Sequence, residues 1–462
     1  MEATGMTGGS TSGDQWERFP AAVREALTQH AAARVADVHD GISGSKGPWR
    51  PLRPVFLDRD HYAELGVVSQ RLMRLVLEAC RRRAGTVREL LEVLRVPAED
   101  TPLLRHDDVL GDDLLVSARP DIVYSAGVPL FVEFNIDGAI GGTLHADLLA
   151  RRFHQVCQDL DGEGTPVFSV PDSAVDARSA VIRSSLGLPE GARVVIPAFS
   201  KGTPPGLENA EAFIAWMAPM CESGRRHGLD TVACAMDDLS TDETGRLTFD
   251  GRPVDAVFRL FQGDQPPSPG LDALIRAVRD DRVGMHTDEA AWLLSDKTTL
   301  AWLWADAELL DAADRQLVET YVPWTALLST PGVMDEELLA YAREHRAELV
   351  LKPTSGYGGS GVLLGPTVSD AEWEAGLAAA ARASHPYIIQ RFAEPDLIAM
   401  DFSHAETGAV ERAEVPFVLG PFLFGGRATG VLVRHGVPAG GQVLNANHGA
   451  RMSSVVLVDR PC

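Results

Sequence analysis

The chain has 462 residues, of which 45% are hydrophobic and 23% charged, and a formal net charge of −23. That length and apolar content can bury a large core in two or three subdomains. The acidic surplus opposes broad contact with nucleic acid or an anionic membrane, whose electrostatic term would be repulsive, yet leaves room for a local, metal-bridged nucleotide.

No run approaches the roughly 18 apolar residues of a membrane span, and no apolar signal core follows Met1. The cysteines Cys80, Cys157, Cys221, Cys234 and Cys462 are odd in number, widely spaced and free of any CxxC. They read as reduced thiols of a cytoplasmic protein rather than a zinc site or disulfide framework.

In chain order, residues 1–14 are rich in Gly, Ser and Thr and read as a disordered tail. Residues 15–104 form an N-terminal helical segment, with helical periodicity over 15–45 and 60–98 and Thr86 starting a helix.

A hairpin follows: Arg119-Pro-Asp-Ile-Val-Tyr-Ser-Ala-Gly-Val-Pro-Leu-Phe-Val-Glu-Phe-Asn135. A turn at Gly127 sets Asp121 opposite Glu133 and Arg119 opposite Asn135, with all four on one face. Ile122, Tyr124, Leu130, Val132 and Phe134 are then expected on the core face. Two carboxylates and an amide oxygen are the hard ligands that Mg²⁺ takes while sharing positions with phosphates. Arg119 beside them suits a developing phosphate or oxyanion charge. The alternative is an ordinary polar sheet face, but opposed carboxylates repel unless a cation lies between them.

After a helix at 142–160 and a linker at 161–166, strands alternate with helices over 167–290. Arg193–Phe199, Thr231–Ala235 and Val254–Phe261 read as strands of a mostly parallel sheet, and 207–226 as a helix. Arg259 reads as an exposed strand-end arginine and Lys201 as a solvated loop lysine. Residues 288–345 read as helical, with Trp292, Trp302 and Trp304 in the helix core.

Then comes Leu349-Val-Leu-Lys-Pro-Thr-Ser-Gly-Tyr-Gly-Gly-Ser-Gly-Val-Leu-Leu364. Gly356, Gly358, Gly359 and Gly361 allow backbone N–H groups to approach phosphate oxygens, and Lys352 can reach the phosphates as a point charge. The spacing is neither a Walker A loop nor a dinucleotide fingerprint. A ligand-free hairpin turn would look the same.

Together these segments resemble the ATP-grasp superfamily. Lys-Pro with its Gly-rich loop, followed by Tyr387-Ile-Ile-Gln-Arg-Phe392, looks like a small lobe and hinge. Glu133-Phe-Asn135 lies ahead of the loop, which is the order of the circularly permuted branch typified by glutathionylspermidine synthetase. Arg-x-Asp and Glu-x-Asn of that branch appear as Arg119, Asp121, Glu133 and Asn135. Gly430-Val-Leu-Val-Arg434 and Val443-Leu-Asn-Ala-Asn447 resemble its closing strands.

The resemblance covers roughly residues 105–462. It departs where Asp-x-Pro is replaced by Asp137-Gly-Ala-Ile-Gly-Gly142, so the family's substrates do not transfer.

The resemblance implies an α+β, two-lobed ATP-grasp fold in permuted order with an inserted α/β subdomain like the pre-ATP-grasp unit. The expected division is 105–165 for the metal-binding part of the large lobe and 166–290 for the α/β substrate-side unit. Residues 291–392 would be the small lobe and 393–462 strands returning to the large lobe. ATP and Mg²⁺ are the implied cofactors. Asp121, Glu133 and Asn135 would hold metal, and Lys297, Lys352, the loop glycines and Gln390 would hold nucleotide, Gln390 and its neighbours through backbone groups. Arg119 and Arg434 would be catalytic. The implied reaction joins a small-molecule carboxylate to an amine through an acyl phosphate, with no nucleic-acid or membrane partner. A phosphotransferase acting on a hydroxyl, or a degenerate ATP-binding protein, remain the alternatives.

Overall fold

The computed structural model describes residues 13–35, 48–160, 167–201, 207, 209–356, 359–438 and 449–459. The 161–166 linker, Gly358, Asn445, Asn447 and Cys462 fall outside these residues.

A seven-stranded sheet is assembled from early and late parts of the chain. Its spine is the 15-residue strand Val410–Phe424. That strand pairs antiparallel with Leu397–His404, with Arg427–His435 and with Ser117–Ser125 of the hairpin. The helix Arg59–Arg81 covers the sheet with an apolar face that includes Leu65, Leu72, Leu75 and Val76. Thr86 caps the next helix, Val87–Leu94, in a reciprocal box with Glu89 that satisfies two otherwise orphaned N–H groups. Val55–Asp58 then runs parallel to Val455–Val458, bringing the two ends of the described chain together.

Asp14 belongs to this packed body rather than to a tail. It is 4% exposed, and its carboxylate accepts from Arg53 at 2.7 Å and from the Phe56 N–H at 2.9 Å.

The hairpin has the expected register, Arg119 opposite Asn135 and Asp121 opposite Glu133. Its two-residue turn has positive φ at both Ala126 (48°) and Gly127 (80°), the I′ geometry that matches strand twist. Both turn N–H groups donate to the Asp396 carboxylate, at 2.9 and 2.8 Å. The core face departs from expectation. The register shifts after Asp121, pairing Ile122 with Phe131 and leaving Val132 as the extra residue of a bulge. Phe131 is therefore buried with Ile122, Tyr124 and Phe134, while Leu130 and Val132 are only half-buried.

Residues 192–286 build a four-stranded parallel sheet in the order Gly284–His286, Ala256–Phe258, Ala192–Pro197, Leu229–Cys234. One face packs on the helix Pro269–Arg279 and the other on the helices Ala174–Ser185, Ala210–Trp216 and Ala218–Arg226. The expected single helix over 207–226 is two, with Pro219 entering the second, where its missing N–H costs nothing. The strand expected over 254–261 shortens to Ala256–Phe258.

A five-stranded antiparallel sheet holds Lys352 and the Gly-rich loop, in the order Val333–Met334, Thr325–Thr330, Tyr387–Arg391, Leu349–Pro353, Leu363–Leu364. Thr325–Thr330 is a strand within the stretch read as helical. Its β-branched and apolar residues pair with Tyr387–Arg391, and Leu328 joins Trp373 and Ile389 in a local core.

Candidate active site

The cleft forms where the hairpin face, the start of the helix Thr298–Ala305, the Gly-rich strand pair and Arg434 meet. The Ser295 hydroxyl fixes the approach: it accepts from the Ile136 N–H at 2.7 Å and donates to the Ile136 carbonyl at 3.1 Å. Two residues on, the Lys297 N–H donates to the Thr354 carbonyl at 2.9 Å, linking this helix start to the Gly-rich loop. The Lys297 ammonium is thereby 3.1 Å from the Glu133 carboxylate.

Asp121 is held from two directions. Arg434 lies 2.5 Å from its Oδ2 and the Arg119 Nε 3.6 Å from its Oδ1. Burial pushes this carboxyl up, but Arg434, Arg119 and Lys297 outweigh it and hold it below the usual carboxylate range. Gly420 makes room for Arg119: a Cβ there would stand 2.8 Å from the arginine's Cδ. The guanidinium also donates to the Gly141 carbonyl at 2.9 Å.

The opposed carboxylates do have cations beside them, but these are Lys297 and Arg434, so their pairing by itself no longer argues for a metal. The metal reading stands on other observations. Asp121 Oδ1 is buried without a hydrogen-bond partner. Asn135 donates its amide N–H to the Arg119 carbonyl at 3.0 Å, which leaves its Oδ1 for the cleft. Two carboxylates and this oxygen fit Mg²⁺ as a partial set completed by phosphate oxygens. Among the described residues no cluster of three or more His, Cys, Asp or Glu could hold a metal by itself.

Lys352 is 9% exposed and donates to the Gln390 side-chain oxygen at 2.6 Å. The Gln390 amide N–H in turn donates to the Thr325 hydroxyl at 3.0 Å, which fixes the amide orientation. Burial pulls the Lys352 ammonium down to about 8, with Glu133 opposing and Lys297 reinforcing the shift. The backbone role expected of Gln390 is corrected: it sits on a central strand, paired with Thr325 on one side and Val350 on the other. Of its neighbours, the Arg391 and Phe392 N–H groups donate to the Trp324 and Glu348 carbonyls, and Arg391, Phe392 and Ala393 border the smaller of the two cavities that open here.

Two cavities open from this junction. One, of about 340 Å³, is bounded by Arg119, Asn135, Asp137, Gln262, Trp292 and the Ala139–Gly141 backbone. The other, of about 180 Å³, is lined by Val123, Val132, Val350, Val362, Phe392 and Val418, with Lys352 and Gln390. Asp121, Glu133, Lys297, Gly356, Gly359 and Arg434 border both. Gly356 and Gly359 have φ of 119° and 76°, conformations a side chain would strain. Gly361, at φ 72°, packs beside Pro353 and borders neither cavity.

Arg259 is not an exposed strand-end residue. It is fully buried and ion-paired with Asp137, whose other oxygen accepts from Gln262 at 2.7 Å. This network attaches the segment after Asn135 to the parallel sheet. Asp137 could have been found by continuing the strand alternation through 133, 135 and 137, whereas Gln262 carries no local signal. Trp292 lines the larger cavity rather than only packing in helix core, while Trp302 is buried as expected. Lys201 is 60% exposed and paired with Asp264. Cys80, Cys157, Cys221 and Cys234 are free and buried.

No family model and no curated protein matches the sequence. Among solved structures, a glutathione synthetase-like effector from Globodera pallida in its apo form aligns over 95% of this chain and 97% of its own. The identity is 13% and the TM-score 0.50, a likeness of fold. A protein of Methylobacillus flagellatus KT, provisionally named a gamma-glutamylcysteine synthetase, aligns over 84% of this chain and 87% of its own. At 11% identity and a TM-score of 0.43 that match adds no weight. The chain thus has a mixed α and β fold similar to that of a glutathione synthetase-like protein, and no helix among the described residues is long and apolar enough to cross a membrane.

Proposed function

We propose that this chain is an ATP- and Mg²⁺-dependent carboxylate–amine ligase of the ATP-grasp type, in circularly permuted order and with the parallel-sheet unit as an insertion. One observation carries the reading: a mainly apolar cavity and a larger one of mixed polar and apolar lining meet at a wall of two carboxylates, two cations and two loop glycines. An apolar slot suits a nucleotide base, the charged wall suits phosphates, and the larger chamber suits an acceptor beyond them.

In this reading Val123, Val132 and Val418 enclose the base. Lys352, Lys297 and the N–H groups around Gly356 and Gly359 hold phosphate oxygens. Mg²⁺ on Asp121, Glu133 and Asn135 supplies neutralisation of the phosphate charge. Arg119 and Arg434 orient the acid so that its carboxylate oxygen forms a bond to the γ-phosphorus as the bond to ADP breaks. The amine nitrogen then bonds to the acyl carbon, inorganic phosphate departs, and the amine proton passes to solvent. Arg119 offsets charge on the tetrahedral oxygen. The partners are small molecules, an acid and an amine, and the free buried thiols support a cytoplasmic setting.

The test is product analysis with a panel of acids and amines. The ligase releases ADP and inorganic phosphate in step with amide. ADP formed together with a stable phosphoester, and no amide, assigns the phosphotransferase instead.

A further inference from the structure

Every carboxylate that the proposed function gives to a metal is engaged by a cation that it gives to phosphate or substrate. Glu133 holds Lys297 at 3.1 Å, and Asp121 holds Arg434 at 2.5 Å with Arg119 beyond it. These are enclosed groups: the Lys297 side chain is 8% exposed, Asp121 10% and Arg434 12%. We infer that these pairs form an exchange lattice, in which a divalent ion and a nucleoside triphosphate bind strongly only in each other's presence. The inference rests on the nucleotide reading above. An ion shared with phosphate already couples the two ligands in that reading; what is added is the exchange of partners, which predicts a gain in single-ligand affinity when either pair is cut.

The charge count explains the linkage. Arg119, Lys297, Lys352 and Arg434 face Asp121 and Glu133, with the buried Asp296 beside Lys297, so the enclosure carries a net positive charge. A divalent ion arriving alone must compete with Lys297 and Arg434 for the carboxylates inside a cationic enclosure. A triphosphate arriving alone must draw Lys297 off Glu133 and then face an uncompensated carboxylate. Arriving together, the ion takes the carboxylates and the phosphates take the ammonium and guanidinium groups, so each displaced charge gains a new partner. A metal–triphosphate complex carries about two negative charges, which suits a net positive enclosure.

The two pairs have opposite signatures when cut. Lys297→Met releases Glu133, so the metal-only state should gain affinity although a phosphate contact is lost. Glu133→Gln releases Lys297, so the nucleotide-only state should gain affinity although a metal ligand is lost. A merely structural role for either residue predicts neither gain.

The test uses the full chain with Mn²⁺, followed by electron paramagnetic resonance, and a nonhydrolysable ATP analogue, followed by calorimetry. In the wild type, the analogue should tighten Mn²⁺ binding by roughly tenfold or more, and Mn²⁺ should tighten the analogue by the same factor. Lys297→Met should bind Mn²⁺ alone more tightly than wild type, and Glu133→Gln should bind the analogue alone more tightly. Both variants should lose most of the coupling. Binding of Mn²⁺ alone by folded Lys297→Met, and of the analogue alone by folded Glu133→Gln, that is no tighter than wild type overturns the exchange and leaves the nucleotide site standing. Failure of the analogue to bind under any condition overturns both. Because each variant is scored by a gain, a misfolded protein cannot mimic the expected result.

Discussion

The two cavities share a wall and differ in what surrounds it. The smaller is lined by valines of four strands, by Val362 and by Phe392, so it offers shape and apolar contact. The larger is lined by polar and apolar residues alike, among them Asp137 and Gln262, which are hydrogen-bonded to each other, and Trp292. In the proposed ligase the smaller cavity would take the nucleotide base and the larger the acid and amine. The departure at Asp137–Gly142 lies at the acceptor end.

Cutting the shared wall should damage both ends at once and gives the largest effect. Glu133→Gln is expected to lower Mg²⁺-dependent ADP formation by on the order of 10²–10³-fold while thermal unfolding stays near wild type. Its carboxylate is 28% exposed, so an amide is accommodated. Asp121→Asn is the less clean cut. It leaves Arg119 and Arg434 facing a neutral group in a nearly closed site, and breaking such a pair from one side costs about 3–5 kcal/mol. A Glu133→Gln protein with wild-type turnover would remove the metal assignment.

How much of this was readable in the chain follows from distance along it. The hairpin was legible because alternation, the Ala-Gly turn and the pairing of 119–121 with 133–135 are all local. Its bulge was not, since Val132 and Phe131 are both apolar in sequence and only tertiary packing, including the Tyr321 ring of the helix Ala312–Tyr321 set edge-on to Phe131, chooses Phe131 for the core. The Gly-rich loop and Lys352 were legible for the same local reason. Lys297 and Arg434 were not, except through resemblance, because their partners on the hairpin lie far away in sequence. Arg259 was misread because a strand end looks exposed until Asp137, from another part of the chain, buries it. Residues 322–330 were misread because helices flank a short apolar run that could take either form.

Within the apolar end, Lys352 gives the next largest effect and the only clear pH signature. Lys352→Met should weaken nucleotide binding by roughly tenfold to a hundredfold, the scale of one charge-assisted contact or slightly more. In the wild type the ammonium is held down to about 8. Phosphate favours its charged form, so nucleotide affinity should fall as pH rises through about 8, and the variant should lack that fall. Stability moves the other way. Between about 8 and the unfolded value of 10.5 this lysine binds more protons in the unfolded chain, so its own contribution to the ligand-free protein's stability rises across that window. That contribution is read as the wild-type minus Lys352→Met difference, in which the opposing contributions of the buried cysteines and tyrosines, whose ionisation burial pushes up, cancel. Calorimetric titrations at pH 7 and 9 check the first sign, and denaturant melts of both proteins across pH 8–10 the second.

The ends can be separated by paired substitutions. Val132→Asp puts a carboxylate in the apolar slot and should raise the KM for ATP at least about tenfold with little change in the acceptor's KM. Trp292→Ala opens the larger chamber and should do the reverse, by a smaller factor of about three to ten because one face of a half-open pocket is lost. Substrate titrations of both variants decide it. Equal effects on both substrates from either change would mean that the two cavities are one undivided site.

The smallest effect probes how rigidly the acceptor end is attached. Gly138 sits against the parallel sheet, where a Cβ would stand 2.7 Å from the Arg259 carbonyl oxygen and the Thr287 nitrogen and 3.0 Å from the His286 carbonyl oxygen. Three backbone atoms cannot yield as a side-chain tip would, so Gly138→Ala should cost about 1–3 kcal/mol through overpacking. At Gly141, which borders the larger cavity, a Cβ meets nothing within 4 Å. Gly141→Ala should therefore leave stability within about 0.5 kcal/mol of wild type. Any change it makes should appear in the acceptor's KM, since its carbonyl receives the Arg119 guanidinium. Urea denaturation of both variants tests the contrast. Equal stabilities would show that the segment after Asp137 shifts freely and that the parallel sheet does not hold it in place. A large loss at Gly138 alone would show a segment fixed at its root and open where it faces the acceptor, which is how an otherwise conventional cleft could be fitted to a different substrate.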